Sequence, residues 1–125
     1  MLEKILWLRE PERHDYPAAR SYLSLHFSRS TARALACRLR SAPMRSFKAK
    51  DIFRASGLTL LGVSNSHVEK NRSKIRDGKP LSPILLVRVG ERVIVADGYH
   101  RLCAVYGYDE DADIPCKIVG GPRCS

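Results

Sequence analysis

The sequence predicts an α/β (α+β) fold, a small mixed sheet preceded by a helical region. Three observations lead to this prediction. Apolar residues recur at helical spacing in the first part of the chain, β-branched runs follow in the second part, and the later elements come in the order β-α-β-β-α-β. With 125 residues, 44% of them hydrophobic, the chain is long enough for one domain with a buried core.

We therefore predict a single domain over residues 1–125. Its predicted parts are a basic helical extension (1–57), a core (58–119) and a short tail (120–125). The extension begins with two helices. Asp15 is suited to cap the first, which begins at Tyr16, and the second begins at Ser30 and ends before Pro43. The apolar stripe of the second helix consists of Ala32, Leu35, Ala36 and Leu39.

The middle of the chain predicts two more helices with a strand between them. Lys48–Ser56 is a short helix, and the apolar run Leu58–Val63 predicts a strand. Ser66 and Glu69 match the S-x-x-E capping box, in which the glutamate bonds back to the start of the helix. This helix is expected to continue through Arg76.

The last third predicts a hairpin, a helix and a final strand. Ile84–Val89 and Arg92–Ala96 are β-branched runs joined by the turn Gly90-Glu91. A helix over Tyr99–Tyr106 follows, and Ile114–Val119 is the last strand.

Positive charge is concentrated between residues 16 and 50. The formal net charge of the chain is +9, and this segment contains eight basic residues and no acidic one. Such a block favours a polyanionic partner, DNA, RNA or an acidic protein, whereas a solvated helical face is the alternative explanation. The candidate nucleic-acid contacts are Arg29, Arg33, Arg38, Arg40, Arg45, Lys48 and Lys50.

The four cysteines do not show the spacing of a zinc site, so we predict no structural metal. Cys37 and Cys103 lie among apolar helical residues and are expected in the core, whereas Cys124 in the tail is expected to be exposed. No apolar run approaches the roughly 18 residues of a membrane span, and the N-terminus lacks the pattern of a secretion signal. These features predict a cytoplasmic protein without a membrane partner.

The segment most suggestive of chemistry is VADGYHRLCA, residues 95–104. A strand ends at Asp97-Gly98 and a helix starts at once, so free backbone N–H groups and the positive helix end point to one place. Gly98 leaves room for a ligand, while His100 and Arg101 add a titratable donor and a fixed cation. This arrangement suits a phosphate. The alternative is structural: Asp97 caps the helix and Arg101 pairs with a nearby carboxylate.

Residues 58–119 resemble the ParB/sulfiredoxin superfamily, the ParB-like nuclease-type domain. The resemblance lies in the order of elements, in the phrase GKPLSPILLVRV and in the spacing G-x-x-R-x-x-A of Gly98, Arg101 and Ala104. The whole sequence also resembles bacterial proteins that carry this domain. In ParB proteins the corresponding box binds the phosphates of CTP, so the resemblance implies a ParB/sulfiredoxin-type mixed sheet and a nucleotide site.

The branches of that superfamily differ in this box. Sulfiredoxins have a catalytic cysteine where this chain has Tyr99, so we reject sulfiredoxin activity. Full partition function is not expected either, since the sequence ends without the helix-turn-helix and dimerisation domains of ParB. The Asp-Gly-x-His-Arg box of the free-serine kinases matches residues 97–101 best. That match implies a nucleotide phosphate and magnesium at the box and a glutamate base elsewhere, for which Glu69 is the nearest candidate.

Two functional hypotheses follow. The first is a module that binds a nucleotide or phosphate through Gly98, Tyr99, His100 and Arg101. It would associate with DNA or RNA through the basic segment, as we call residues 16–50. The alternative is a phosphotransferase or hydrolase acting on a nucleoside di- or triphosphate. There Asp97 would bind Mg²⁺ and His100 and Glu69 would be catalytic. A nuclease ranks lower, because the sequence shows no carboxylate cluster for two metals. A non-catalytic protein-docking module is the remaining possibility.

Overall fold

The computed structural model describes residues 4–62 and 65–122. Within them, the chain forms five helices and four strands. In order, they are α1 (Asp15–Leu23), α2 (Arg29–Ser41), β1 (Arg45–Lys48), α3 (Ala49–Ser56), α4 (Ser66–Arg76), β2 (Ile84–Val89), β3 (Arg92–Asp97), α5 (Tyr99–Tyr108) and β4 (Asp113–Gly120).

The strands form one mixed sheet in the order β1-β4-β2-β3. β2 and β3 form the predicted antiparallel hairpin, while β2 and β4 run parallel and β1 pairs antiparallel with the other side of β4. The α+β class and the mixed sheet predicted from the sequence are confirmed.

Helices cover both faces of the sheet because the side chains of β2 alternate. Ile84 and Leu86 face one core, to which α3, α4 and α5 contribute; we call it the α5-side core. Leu85 and Val87 face the other, which we call the α1–α2 core. All four side chains are buried, so β2 is sandwiched between two helical layers.

The region predicted as a helical extension is continuous with the sheet. β1 is an edge strand, and its Arg45 lies opposite Cys116 of β4. The stripe of α2 is buried as predicted, and Leu35 and Leu39 pack into the α1–α2 core. Residue 57 therefore does not mark a packing boundary.

A buried lysine fastens the N-terminal part of the chain to β4. The Lys117 side chain is only 4% exposed, and its Nζ lies 3.1 Å from a Glu10 carboxylate oxygen. It donates a 2.8 Å hydrogen bond to the Arg40 carbonyl and lies 5.6 Å from the centre of the Tyr16 ring. Burial acts to lower the pKa of Lys117, but its hydrogen bonds to Tyr16 and Glu10 outweigh burial and raise it.

The predicted strand Leu58–Val63 is wrong for its described residues, 58–62, which form no strand; Val63 lies outside the described residues. Two groups on α5 satisfy the backbone there. The Tyr99 hydroxyl donates to the Thr59 carbonyl, and the Leu61 N–H donates to Cys103 Sγ at 3.5 Å. The fourth strand of the sheet is instead β1, a short polar segment without the alternation that marks a strand.

Two predicted helix caps are also wrong. Asp15 is the first residue of α1, and its buried carboxylate accepts a hydrogen bond from the Ser82 hydroxyl. Asn65, not Ser66, caps α4, because its side-chain oxygen accepts from the N–H groups of His67 and Val68 at 3.0 and 3.2 Å. Asn is as good a cap as Ser and needs no glutamate partner.

The cysteines divide between surface and core. Cys37 is exposed, contrary to the prediction, because it lies on the side of α2 that faces away from the buried stripe. Cys103 is buried as predicted, and burial raises the pKa of the likewise buried Cys116 to about 12. Cys124 lies outside the described residues. Within the described part of the chain, no helix is long and apolar enough to cross a membrane.

The first prediction tests whether α2 is part of one cooperative fold. Leu35→Ala removes a side chain that is 2% exposed in the α1–α2 core and should lower the free energy of unfolding by about 2–5 kcal/mol. Denaturant unfolding is followed by the fluorescence of Trp7, the single tryptophan, which packs against the α5-side core. The control is Leu25→Ala, at an 80% exposed leucine, with an expected change within about 0.5 kcal/mol. An unchanged Trp7 transition in Leu35→Ala would show that α2 unfolds separately.

Candidate functional site

The strand-to-helix junction at the end of β3 depends on a glycine. Gly98 has φ = +108°, a conformation that other residues rarely adopt. A Cβ at this position would lie 2.9 Å from Ile84 Cγ1 and 3.0 Å from Arg101 Nη2. Both the backbone conformation and the lack of space therefore require glycine, and α5 can begin immediately after β3.

The N-terminus of α5 is open. Gly98 is its N-cap residue, and no side chain forms a capping hydrogen bond there. The first N–H groups of a helix have no partner within the helix and carry its partial positive charge. The start of α5 can thus donate several backbone hydrogen bonds to an anion.

A polar cleft of about 250 Å³ lies between this junction and α4. From α4 it is lined by residues at helical spacing, which share one face of the helix. From the junction it is lined by residues 97–101. The residues contributed by α4 are His67, Lys70, Asn71 and Lys74. The lining contains three fixed cations, Lys70, Lys74 and Arg101, against one carboxylate, Asp97, so the cleft favours anions.

Two imidazoles meet across the cleft. The ring centres of His67 and His100 are 4.9 Å apart. Burial, followed by the charges of His67 and Arg101, lowers the pKa of His100 below its usual 6.5. His100 is therefore neutral at pH 7, and one ring nitrogen can donate a hydrogen bond.

The Arg101 guanidinium stabilises the strand-to-helix junction through contacts with other elements. Its Nη2 lies 2.8 Å from a carboxylate oxygen of Asp97 and 3.7 Å from one of Asp15, and it donates to the Pro83 carbonyl at 3.3 Å. Its Nε is buried without a partner in the described residues. Arg101 thus connects α5, β3, α1 and the approach to β2.

The two carboxylates around Arg101 are withdrawn from water. Asp15 is 3% exposed and also accepts hydrogen bonds from the Ser82 hydroxyl and from the Glu12 N–H, the latter at 3.2 Å. Burial raises the pKa of Asp97, and although the charge and hydrogen bond of Arg101 lower it, Asp15 adds to the rise and the pKa stays above its usual value. The structural alternative is therefore half right: Arg101 pairs with carboxylates, but Asp97 does not cap α5.

Of the predicted site residues, those of the box come together and Glu69 does not. Residues 97–101 all line the cleft. The Tyr99 hydroxyl is engaged by the Thr59 carbonyl, so the group that Tyr99 can offer a ligand is its backbone N–H in the first turn of α5. Glu69 lies on the opposite side of α4, where it pairs with Arg76 at 2.8 Å and with Arg72 at 3.9 Å. The arrangement does not present Glu69 as a base for the cleft.

The contributions of α4 to the cleft were missed from the sequence. Lys70 and Lys74 lie one helical turn apart, and with His67 and Asn71 they form a polar i, i+3, i+4, i+7 stripe. That periodicity was a usable signal. What the sequence did not provide was the partner, because α4 and the start of α5 are separated by both strands of the hairpin.

The residues fit a magnesium ion only in a limited way. Within residues 4–62 and 65–122, no three His, Cys, Asp or Glu side chains group as metal ligands. Asp97 is the one carboxylate of the cleft lining, and its bond to Arg101 competes with a metal. Mg²⁺ at nucleotide sites is held by one or two carboxylates together with the phosphates. The phosphates would thus have to supply most of its ligands, with Asp97 as the candidate protein ligand.

The basic segment does not act as one surface. Several of its cations are engaged by the fold: Arg38 donates to the Gly120 carbonyl at 2.8 Å, Arg40 lies 4.8 Å from the centre of the Tyr16 ring, and Lys50 pairs with Asp111 at 2.6 Å. Arg45 and Lys48 belong to the edge strand β1. Arg29 and Arg33 line a groove between α1 and α2.

Comparison with known proteins finds no family model, no curated protein and no solved structure that matches this chain. The ParB/sulfiredoxin resemblance of residues 58–119 stays a prediction.

The second prediction concerns the brace at Arg101. Arg101→Met leaves Asp15 and Asp97 without their cation in a poorly hydrated place, so the free energy of unfolding at pH 7 should fall by about 3 kcal/mol. The loss should shrink in acid, because the raised pKa of Asp97 lets this carboxylate take up a proton and lose its charge as the pH falls. The matched control is Arg54→Met, which breaks the exposed pair with Asp51 and should cost less than about 1 kcal/mol. Equal effects of the two substitutions in denaturant titrations would show that the cluster does not brace the fold.

Proposed function

We propose that this chain is a ParB/sulfiredoxin-like module that binds a nucleotide or phosphate in the cleft between α4 and the start of α5. One observation carries the proposal: Lys70 and Lys74 of α4 line the same cleft as the uncapped N-terminus of α5. Backbone N–H groups and cations converging on one point are the usual recognition of phosphate.

Each part of the cleft has a distinct task in this proposal. The N–H groups after Gly98 hold the phosphate oxygens, and Lys70 and Lys74 neutralise its charge. His67 and His100 donate further hydrogen bonds from the two sides of the cleft. Arg101 is a positioning residue, because its Nη2 is committed to Asp97 and Pro83 and keeps the junction in shape.

The resemblance supports a nucleotide in particular. The box Asp97-Gly98-Tyr99-His100-Arg101 corresponds to the segment that binds nucleotide phosphates in the superfamily. The phosphotransferase alternative needs a base beside the bound phosphate, and Glu69 is held away by Arg76 and Arg72. Binding without turnover is therefore the function that we propose. We also propose nucleic acid as the partner of the basic segment.

The third prediction tests the cleft with ATP, CTP and inorganic pyrophosphate, with and without Mg²⁺. Lys70→Gln/Lys74→Gln should weaken binding about tenfold for each ammonium removed, since a charge-assisted hydrogen bond contributes about 1.5 kcal/mol or more. Calorimetry gives the affinity, and a ligand-induced rise in melting temperature provides a second measure.

The matched control has the same change in net charge. Lys48→Gln/Lys79→Gln removes two exposed lysines outside the cleft and should bind as the wild type does. If both double variants lose affinity equally, the effect is one of net charge. If none of the three probes binds the wild type, the proposal fails.

The fourth prediction is a pH dependence. The pKa of His100 in the free protein lies below 6.5, and a bound anion favours the imidazolium form, so binding raises this pKa and takes up protons. Affinity should therefore increase as the pH falls from 8 towards 6. The ligand titrates in the same range, so the reference is His67→Gln/His100→Gln, in which only the ligand contributes. Proton uptake is measured by calorimetry in buffers of different ionisation enthalpy. Identical proton uptake in the two proteins would show that the imidazoles do not interact with the ligand.

A further inference from the structure

A groove lies between α1 and α2, on the other side of the sheet from α4 and α5. We propose that this groove docks the phosphodiester backbone of duplex DNA. The inference rests on the proposed association with nucleic acid, and it assigns that association to Arg20, Arg29 and Arg33 rather than to the whole basic segment.

The groove has the composition of an anion-binding surface. It is about 870 Å³ in volume, and its lining includes no acidic residue. Arg20 comes from α1, and Arg29 and Arg33 come from α2. Serine hydroxyls on both helices, among them Ser21 and Ser30, add neutral hydrogen-bond donors. Arginine and serine side chains are among the groups with which proteins contact DNA phosphates.

These three arginines are available, unlike others in the same segment. All three are exposed, and no salt bridge of the described residues includes them. Lys50, by contrast, is paired with Asp111, and Arg38 is bonded to a carbonyl. An exposed cation without a partner gives up no protein contact when it binds a phosphate.

The placement of the charges suits an extended anion. Arg29 and Arg33 are four residues apart and lie on one face of α2, while Arg20 approaches from α1. The three guanidinium groups therefore belong to two sides of one groove. A guanidinium binds phosphate in a bidentate manner, which a lysine cannot do.

Two features favour duplex DNA over other polyanions. The lining contains no aromatic ring, so it lacks the stacking platform with which proteins bind single strands. The exposed face of α2 carries short side chains, Ser30, Ala34 and Cys37, beside its arginines. An α-helix enters the wide major groove of B-form DNA but not the narrow one of an A-form RNA duplex.

The fifth prediction is tested with the full chain and a fluorescein-labelled DNA duplex of 20 base pairs. Three arginine–phosphate contacts predict that log K falls with log salt concentration with a slope of about −2.7. Arg20→Gln/Arg29→Gln/Arg33→Gln should abolish most of this slope and weaken binding roughly a hundredfold at low salt. The control is Arg54→Gln on α3, which should leave the slope unchanged, and Arg33→Gln alone should reduce it by about 0.9.

A second measurement needs no substitution. Cys37 is exposed and lines the groove, whereas Cys103 and Cys116 are buried. Bound DNA should slow the alkylation of Cys37, followed by mass spectrometry of its peptide. Alkylation at the same rate with saturating DNA would contradict the proposed surface.

Three other polyanions test whether the groove prefers duplex DNA. An RNA duplex of the same sequence, the single DNA strand and polyglutamate should each bind more weakly than the DNA duplex. Tighter binding of any of them, or a triple variant that binds DNA as the wild type does, would overturn the assignment. The two proposals fail separately: Lys70→Gln/Lys74→Gln should keep DNA binding while losing pyrophosphate, and the triple arginine variant should do the reverse.

Discussion

The contact on which the rest of the structure depends is the one between Arg101 and its two carboxylates. Asp15 begins α1, Asp97 ends β3, and Arg101 lies in the first turn of α5. One guanidinium therefore joins the helical layers on the two faces of the sheet. A charge group so poorly hydrated stabilises only as a complete set, because any member left alone keeps the cost of its desolvation. The Ser82 hydroxyl and the Glu12 N–H complete the hydrogen bonding of Asp15.

The contacts of Arg101 determine which residues are available to a ligand at the proposed phosphate site. Arg101 is the cation that the sequence motif draws attention to, yet its Nη2 is engaged with Asp97 and Pro83. The other fixed charges of the cleft come from Lys70 and Lys74, while the junction supplies backbone N–H groups held in place by Gly98. A fixed arginine beneath the site and adaptable lysines beside it allow the backbone to keep its shape while the ligand is bound.

The basic segment follows the same principle. Charge that the fold uses internally is unavailable for a partner, and Arg38, Arg40 and Lys50 are used in this way. What remains free between α1 and α2 is a smaller surface with Arg20, Arg29 and Arg33. The two proposed anion sites lie in different helical layers, so each can be tested without disturbing the other.

The sequence by itself determined the features that depend on near neighbours. These are the α+β class, the stripe of α2, the hairpin of β2 and β3, and the junction at Gly98, all of which are set by local periodicity and turn chemistry. Only the tertiary structure decided the rest. β1 is a strand because β4 pairs with it, whereas residues 58–62 are not a strand because α5 binds their backbone. Asp15 is buried because Ser82 donates a hydrogen bond to its carboxylate and Arg101 lies beside it. These outcomes depend on groups far apart in the chain, whose meeting no local pattern encodes.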